Sequence, residues 1–208
     1  MFMKNHQSSH DELIAHLLTF MEMPGDFPDL LRPALSSEIE YHKETIINHP
    51  STVADLAFWP VRGYTRVYKS LKPEPDREHY VQQTIDISLP GKVSLAANSF
   101  MNRVPVGNYF VIQKGSIMIN FSYQSFMDLG AKMPEVKDLA LKIVAAGEAD
   151  WHDKMEMCKV KCADGYAKFL DHFDPVVEEF VDQRHIASYI GMASEELSRL
   201  KKSMRQKT

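Results

Sequence analysis

Hydrophobic positions along the chain change their period from one stretch to the next, and each change predicts a different element. Leu13, Ile14, Leu17, Leu18 and Met21 recur at helical spacing behind Ser9-His10-Asp11-Glu12, a capping-box sequence, until Pro24-Gly25 stops them. From Glu38 to Phe126 short β-branched and aromatic runs follow, punctuated by Pro50, Gly63, Pro73, Pro75, Pro90-Gly91, Gly107 and Gly115. Within them Val81, Ile85, Ile87 and Leu89 are expected on one strand face, and Ile117, Ile119 and Phe121 on another. Several short strands at this spacing predict an antiparallel sandwich or barrel-like roll.

After Pro134 the chain runs to about Cys162 without proline, which predicts one long helix. Leu141, Val144, Glu148, Trp151, Met155, Cys158 and Cys162 alternate by three and four residues, the spacing of a coiled-coil seam interrupted by one polar residue. Val136, Leu139, Ile143 and Ala146 form a second apolar face on the first half. One face can lie on the strands while the other meets a twin helix, so a homodimer is inferred; packing wholly within one subunit is the alternative. Further helices are expected over 163–173 and 176–181, separated by Asp174-Pro175.

Arg184 to Met204 has the composition of two helices crossing through a tight turn. Such a pair needs a small residue at the backbone approach, a residue tolerant of positive φ in the turn, and flanking apolar residues. Ala187, Gly191 and the set Ile186, Ile190, Met192, Leu197 and Leu200 meet these needs in one register, although an ordinary helical hairpin would share them. Ser194, Glu195, Ser198, Arg199 and Lys202 are then left on the exposed side of the second helix. These groups suit base edges and phosphates.

Charge sharpens this picture. The net charge of −4 hides an asymmetry: from Arg184 onward six Lys/Arg stand against Glu195 and Glu196, a local +4, which leaves −8 on residues 1–183. A basic contact surface on an acidic body gives that pattern, and so does a solvated helix face. With 208 residues and 44% apolar content the chain can bury one large core or two smaller ones. The apolar residues are too scattered for a membrane span, and Met1 to Ser9 lacks the pattern of a secretory signal, so a cytoplasmic protein is expected. The two cysteines, Cys158 and Cys162, read as thiols in a reducing compartment rather than a disulfide framework.

Ile186-Ala187-Ser188-Tyr189-Ile190-Gly191, followed by Glu195-Glu196-Leu197-Ser198-Arg199, resembles the helix-turn-helix of the Crp/Fnr family of bacterial transcription regulators. The family's E-x-x-S-R pattern is met by Glu195, Ser198 and Arg199. Upstream, Trp59-Pro60-Val61-Arg62-Gly63-Tyr64-Thr65-Arg66-Val67 is similar to its strand-glycine-strand element, and Leu89-Pro90-Gly91 to a later turn. The resemblance implies an α+β fold with three parts. These are a cyclic-nucleotide-binding-like antiparallel β-roll (a jelly-roll-like double-stranded β-helix) over 1–132, a dimerisation helix over 133–160, and a helix-turn-helix domain over 161–208. It implies a homodimer on a two-fold symmetric duplex, with RNA polymerase as a further partner. Arg199 and Glu195 would read guanine and cytosine, while Ser194, Ser198, Lys201, Lys202 and Arg205 would hold phosphates. Leu141, Val144, Trp151 and Met155 would carry the dimer seam.

Two departures matter. Ala193 stands where such motifs often place Ser or Thr as a helix cap, and the few residues after Arg199 leave no room for a β-hairpin wing. Family members that bind cyclic nucleotides hold the phosphate with arginine and the ribose with glutamate. The corresponding stretch here, VSLAANSFMNRVPVGN over 93–108, has no acidic residue, and its single base, Arg103, falls about four positions early. Cyclic AMP is therefore not expected; an unidentified small ligand near Leu95, Arg103 and Asn108, or none, remains. No cysteine precedes Cys158, which removes the family's iron-sulfur route, and His42 and His49 read as surface residues rather than haem ligands. Cys158 and Cys162 with His152 and Glu156 lack a four-ligand metal spacing, and no cofactor is expected. No G-x-S-x-G, H-E-x-x-H or P-loop signature points to an enzyme. The alternative to a regulator is a ligand-binding or protein-interaction module of the same fold that has lost DNA binding.

Overall fold

A computed structural model of the chain describes residues 8–71, 81–160 and 162–205. Helix α1 (Ser9–Leu18) is capped one residue earlier than the sequence reading proposed. Ser8 accepts from the Asp11 amide at 3.2 Å, and the Asp11 carboxylate returns to the Ser8 amide at 3.2 Å. The box is closed by Ser8 and Asp11 rather than Ser9 and Glu12, which lets Leu13, Ile14 and Leu17 face inward together. Helix α2 (Phe27–Leu31) and a 3₁₀ turn (Arg32–Ala34) lead into the strands.

The strands are β1 (Ile39–Tyr41), β2 (Thr45–Asn48), β3 (Leu56–Arg62), β4 (Thr65–Leu71), β5 (Val81–Ser88), β6 (Tyr109–Ile112) and β7 (Ser116–Ser122), with helix α3 (Ala97–Asn102) between β5 and β6. They form two antiparallel sheets, β1-β7-β3 and β2-β6-β4-β5. Phe58, Phe110, Ile112 and Met118 fill the space between them. The alternation along β3 sends Ala57 and Trp59 the other way, where with Ile119 they meet the helices.

One expected strand face is broken. The register between β4 and β5 shifts between Val67 opposite Asp86 and Tyr68 opposite Thr84, so Ile85 is the extra residue of a bulge. Val81 is consequently 40% exposed whereas Ile87 is fully buried, although a strict period of two puts them together.

Helix α4 (Tyr123–Lys132) begins where the strand pattern predicts β-structure as far as Phe126; Ser122 caps it by accepting from the Ser125 amide at 3.0 Å. Helix α5 (Glu135–Lys159) is the long helix, with Pro134 at its start. Val136 and Leu139 bury their side chains with α1, α2 and α4 in one core, while Met157 enters a second core near its far end. Helices α6 (Cys162–Phe173), α7 (Val177–Phe180), α8 (Gln183–Tyr189) and α9 (Ser194–Arg205) complete the C-terminal head. Their shared core contains Phe169, Val177, Ile186, Ala187 and Leu197, and it also takes in Ile87 and Tyr64 from the roll. No helix among the described residues is long and apolar enough to cross a membrane.

Candidate nucleic-acid interface

Helix α8 starts where Asp182 accepts the Arg184 amide at 3.0 Å and ends at Ile190. Gly191 then adopts φ +75°, a left-handed conformation that L side chains adopt only under strain. The turn is closed by the Met192 amide donating to the Ala187 carbonyl at 2.8 Å. Ala187, Ile186, Ile190, Met192 and Leu197 are buried and Leu200 is half-buried, which is the apolar set the sequence assigns to the shared core.

The polar positions of α9 separate into two groups. Glu195, Ser198, Arg199 and Lys202 are exposed and follow one another at three- and four-residue spacing, so they make a single stripe along the helix. Ser194 is half-buried at its start. Lys201 points the other way and pairs with Glu178 at 2.5 Å, and Glu178 also accepts from the Tyr166 hydroxyl. Lys201 therefore ties α9 to α7 instead of standing free for a phosphate, because at position 201 the helix has turned towards its own domain. The Arg205 side chain lies outside the described residues. Ala193 supplies only its carbonyl, which accepts from the Glu196 and Leu197 amides at 3.1 Å.

Helix α8 is held against the roll by contacts that the sequence reading did not find. The Tyr64 hydroxyl lies 2.9 Å from Nδ1 of buried His185 and accepts from the Asp182 amide at 3.4 Å. Gly63 makes this placement feasible: its φ is +78°, and a Cβ there would lie 2.8 Å from the Ser116 Cα. The Ser188 hydroxyl accepts from the Thr84 amide at 2.8 Å and donates to the Gln82 carbonyl at 3.0 Å, taking the place of a neighbouring strand at the free edge of β5. From α5, Lys154 donates to the carbonyls of Thr84, at 3.1 Å, and Ile85, and lies 4.1 Å from the centre of the Tyr189 ring. Burial lowers its pKa to about 8. Burial also lowers that of His185 to about 4, with nearby Arg66 acting in the same direction. The strand edge is thus covered by side chains of the head and of the long helix. Position along the sequence carried no signal for these pairings, since Tyr64 and His185 are 121 residues apart.

On α5, three of the expected seam positions are exposed, Leu141 at 61%, Trp151 at 49% and Met155 at 40%, whereas Val144 is half-buried and turns towards an apolar cavity under the helix. Cys158 is exposed, with Sγ 3.5 Å from the Tyr189 carbonyl; the Cys162 side chain lies outside the described residues. Among the described residues no three His, Cys, Asp or Glu side chains are grouped to hold a metal ion.

The residues expected near an effector do not converge. Leu95 lines an apolar cavity beneath α3, but Arg103 is outside it. The Arg103 guanidinium donates to the Ala54 carbonyl at 2.7 Å, pairs with Asp55 and stacks 4.1 Å from the Tyr123 ring centre, so its donors serve the roll itself. Asn108 is half-buried in the turn before β6, away from that cavity.

No protein-family model matches the sequence, and no curated protein is similar enough to align with it. Solved structures do match. FixK2 from Bradyrhizobium japonicum superposes with a TM-score of 0.67 at 19% identity, over 82% of this chain and 85% of that one. The c-di-GMP responsive global regulator CLP from Xanthomonas campestris gives 0.61 at 13% identity, over 86% and 90%. A CooA mutant from Carboxydothermus hydrogenoformans gives 0.59 at 17% identity, over 92% and 83%. At these identities the likeness concerns the fold. The chain shares with these structures a β-roll, a long helix and a C-terminal helical head, the α+β architecture implied by its sequence resemblance.

Proposed function

We propose that the protein is a cytoplasmic, homodimeric transcription regulator that reads a two-fold symmetric duplex with α9. The observation that carries this reading is the stripe of Glu195, Ser198, Arg199 and Lys202. It stands exposed on a helix whose opposite side is anchored by fully buried Leu197. A helix so anchored can enter a major groove without unfolding its support. Arg199 would donate bidentately to guanine and Glu195 would accept from cytosine, while Ser194, Ser198 and Lys202 would meet phosphates.

The dimer is formed, in this reading, by the 133–160 segment. The exposed Leu141, Trp151 and Met155 side chains would be removed from water by a second copy of α5. Residues 1–132 would act as the sensor and 161–208 as the DNA-binding head. Two heads would then occupy major grooves about 10 base pairs apart. No reaction is assigned. Because Arg103 is already engaged by Ala54 and Asp55, cyclic AMP is not the effector proposed.

Selection of bound duplexes from a randomised pool tests this directly. The expected result is a palindromic site with half-sites one helical turn apart. Arg199→Ala should cost about 1–3 kcal/mol on that site and relax preference at one guanine, with little change in melting temperature. A pool that shows no enrichment at low salt would overturn the reading.

A further inference from the structure

Between the outer face of the β1-β7-β3 sheet and the layer made by α1, α2, α4 and α5 lies a cavity of about 100 Å³. Every residue lining it is apolar, from Leu13 on α1 and Trp59 on β3 to Phe100 on α3 and Leu139 on α5. The space is partly open at its mouth, and a hollow lined only by carbon offers water no hydrogen-bond partner and does not stabilise a charge. It lies on the opposite side of that sheet from the Phe58, Phe110 and Met118 core between the sheets, although Phe58 also reaches its wall.

Two features set this space apart from loose packing. Ala57 on β3 and Ala140 on α5 both line it, and both occur among much larger neighbours, so the volume depends on two small side chains on different elements. The α5 part of the wall is Val136, Leu139, Ala140, Ile143 and Val144, on the same turns of the long helix that carry exposed Leu141 on their other face. A molecule seated there touches α1, the sheet, α3 and α5 at once. It would favour whichever placement of α5 best encloses it.

We propose that this cavity binds a small uncharged apolar molecule, of the size of a benzene ring or a short alkyl chain, and that its occupancy sets the placement of α5. The chemistry follows from the lining: there is no donor or acceptor to select a polar ligand, and the volume is below the roughly 300 Å³ at which pockets for drug-sized molecules begin. An engineered apolar cavity of about 150 Å³ is known to take benzene; at about 100 Å³ this space is smaller but partly open, so a single ring fits with one edge towards its mouth. The coupling to DNA rests on the regulator reading above; the site itself does not.

Toluene is the probe, added to the full-length chain in sealed cells. At ten times its Kd it should raise the melting temperature by roughly 3–6 °C and give saturable changes in methyl NMR signals. Ala140→Leu and Ala57→Val fill the space from opposite walls. Each should weaken toluene binding at least tenfold while keeping the unliganded melting temperature at or above that of the parent. Cyclic AMP should move neither readout. On the duplex selected above, toluene should change the Kd about fivefold or more. Absence of any toluene effect on the parent overturns the proposal. So does an effect undiminished in both variants, which would place the molecule on the exposed side of α5. Toluene binding that both variants abolish, in a chain that selects no duplex, would uphold the site and overturn the regulator reading.

Discussion

Helices α8 and α9 are joined by a single tight turn, yet they stand in opposite relations to the rest of the molecule. In α8, His185, Ile186, Ala187 and Tyr189 are all buried, and Ser188 completes the hydrogen bonding of a strand edge in the roll. In α9, Leu197 alone among the described side chains is fully buried, and the stripe of Glu195, Ser198, Arg199 and Lys202 faces solvent. The difference teaches that the placement of α9 is inherited. Through the Gly191 turn it follows α8, and α8 follows the edge of β5 and the side chains of Tyr64 and Lys154. Whatever shifts β5 or α5 moves the exposed stripe with it.

The comparison is broken most severely by removing the anchor of α9. Leu197→Ala should destabilise the chain by about 2–5 kcal/mol, seen as a lower urea midpoint, because the site is enclosed on all sides. Acidification attacks α8 instead. The His185 pKa is lowered in the fold to about 4 from an ordinary 6.5, so the fold favours the neutral ring. The stability this contributes is full above pH 6.5 and is lost as the pH falls from 6.5 towards 4, up to roughly 3 kcal/mol. The groups facing the ring, Tyr64, Arg66, Asp182 and Arg184, supply cations as well as one carboxylate, so a protonated ring gains little there. Urea midpoints measured across that range should fall, and His185→Gln should flatten the dependence.

Smaller changes sharpen the comparison. Ser188→Ala leaves the Thr84 amide and the Gln82 carbonyl without their partner, at a cost of about 1–2 kcal/mol, and hydrogen exchange at the Thr84 amide should accelerate. Lys202→Ala should leave stability within about 0.5 kcal/mol and lower the salt slope of DNA binding by about 1 per subunit.

The parts of the molecule legible in the sequence are those governed by local pattern. The turn at Gly191, the apolar set around it and the long uninterrupted α5 all follow from spacing and from residues with restricted backbone preferences. What was not legible depends on pairing at a distance or on single-residue shifts. The cap moved from Ser9 to Ser8 because two adjacent serines offer the same group, and the β5 face failed at a bulge that no residue type announces. Lys201 looked like its neighbour Lys202, and only the position of Glu178 on another helix separates their roles. Tyr64 with His185, and Ser188 with β5, join residues more than a hundred positions apart, where periodicity carries no information.

The central claim is that α9 is a DNA-facing helix held by the roll through α8. Titrating a selected duplex with the full-length chain over a series of salt concentrations tests it most directly. Tight binding at low salt that weakens linearly on a log–log plot, with Arg199→Ala reduced towards the affinity for unrelated duplex, is the result expected. A flat titration in dilute buffer, or an Arg199→Ala variant that still discriminates between duplexes as well as its parent, would contradict it.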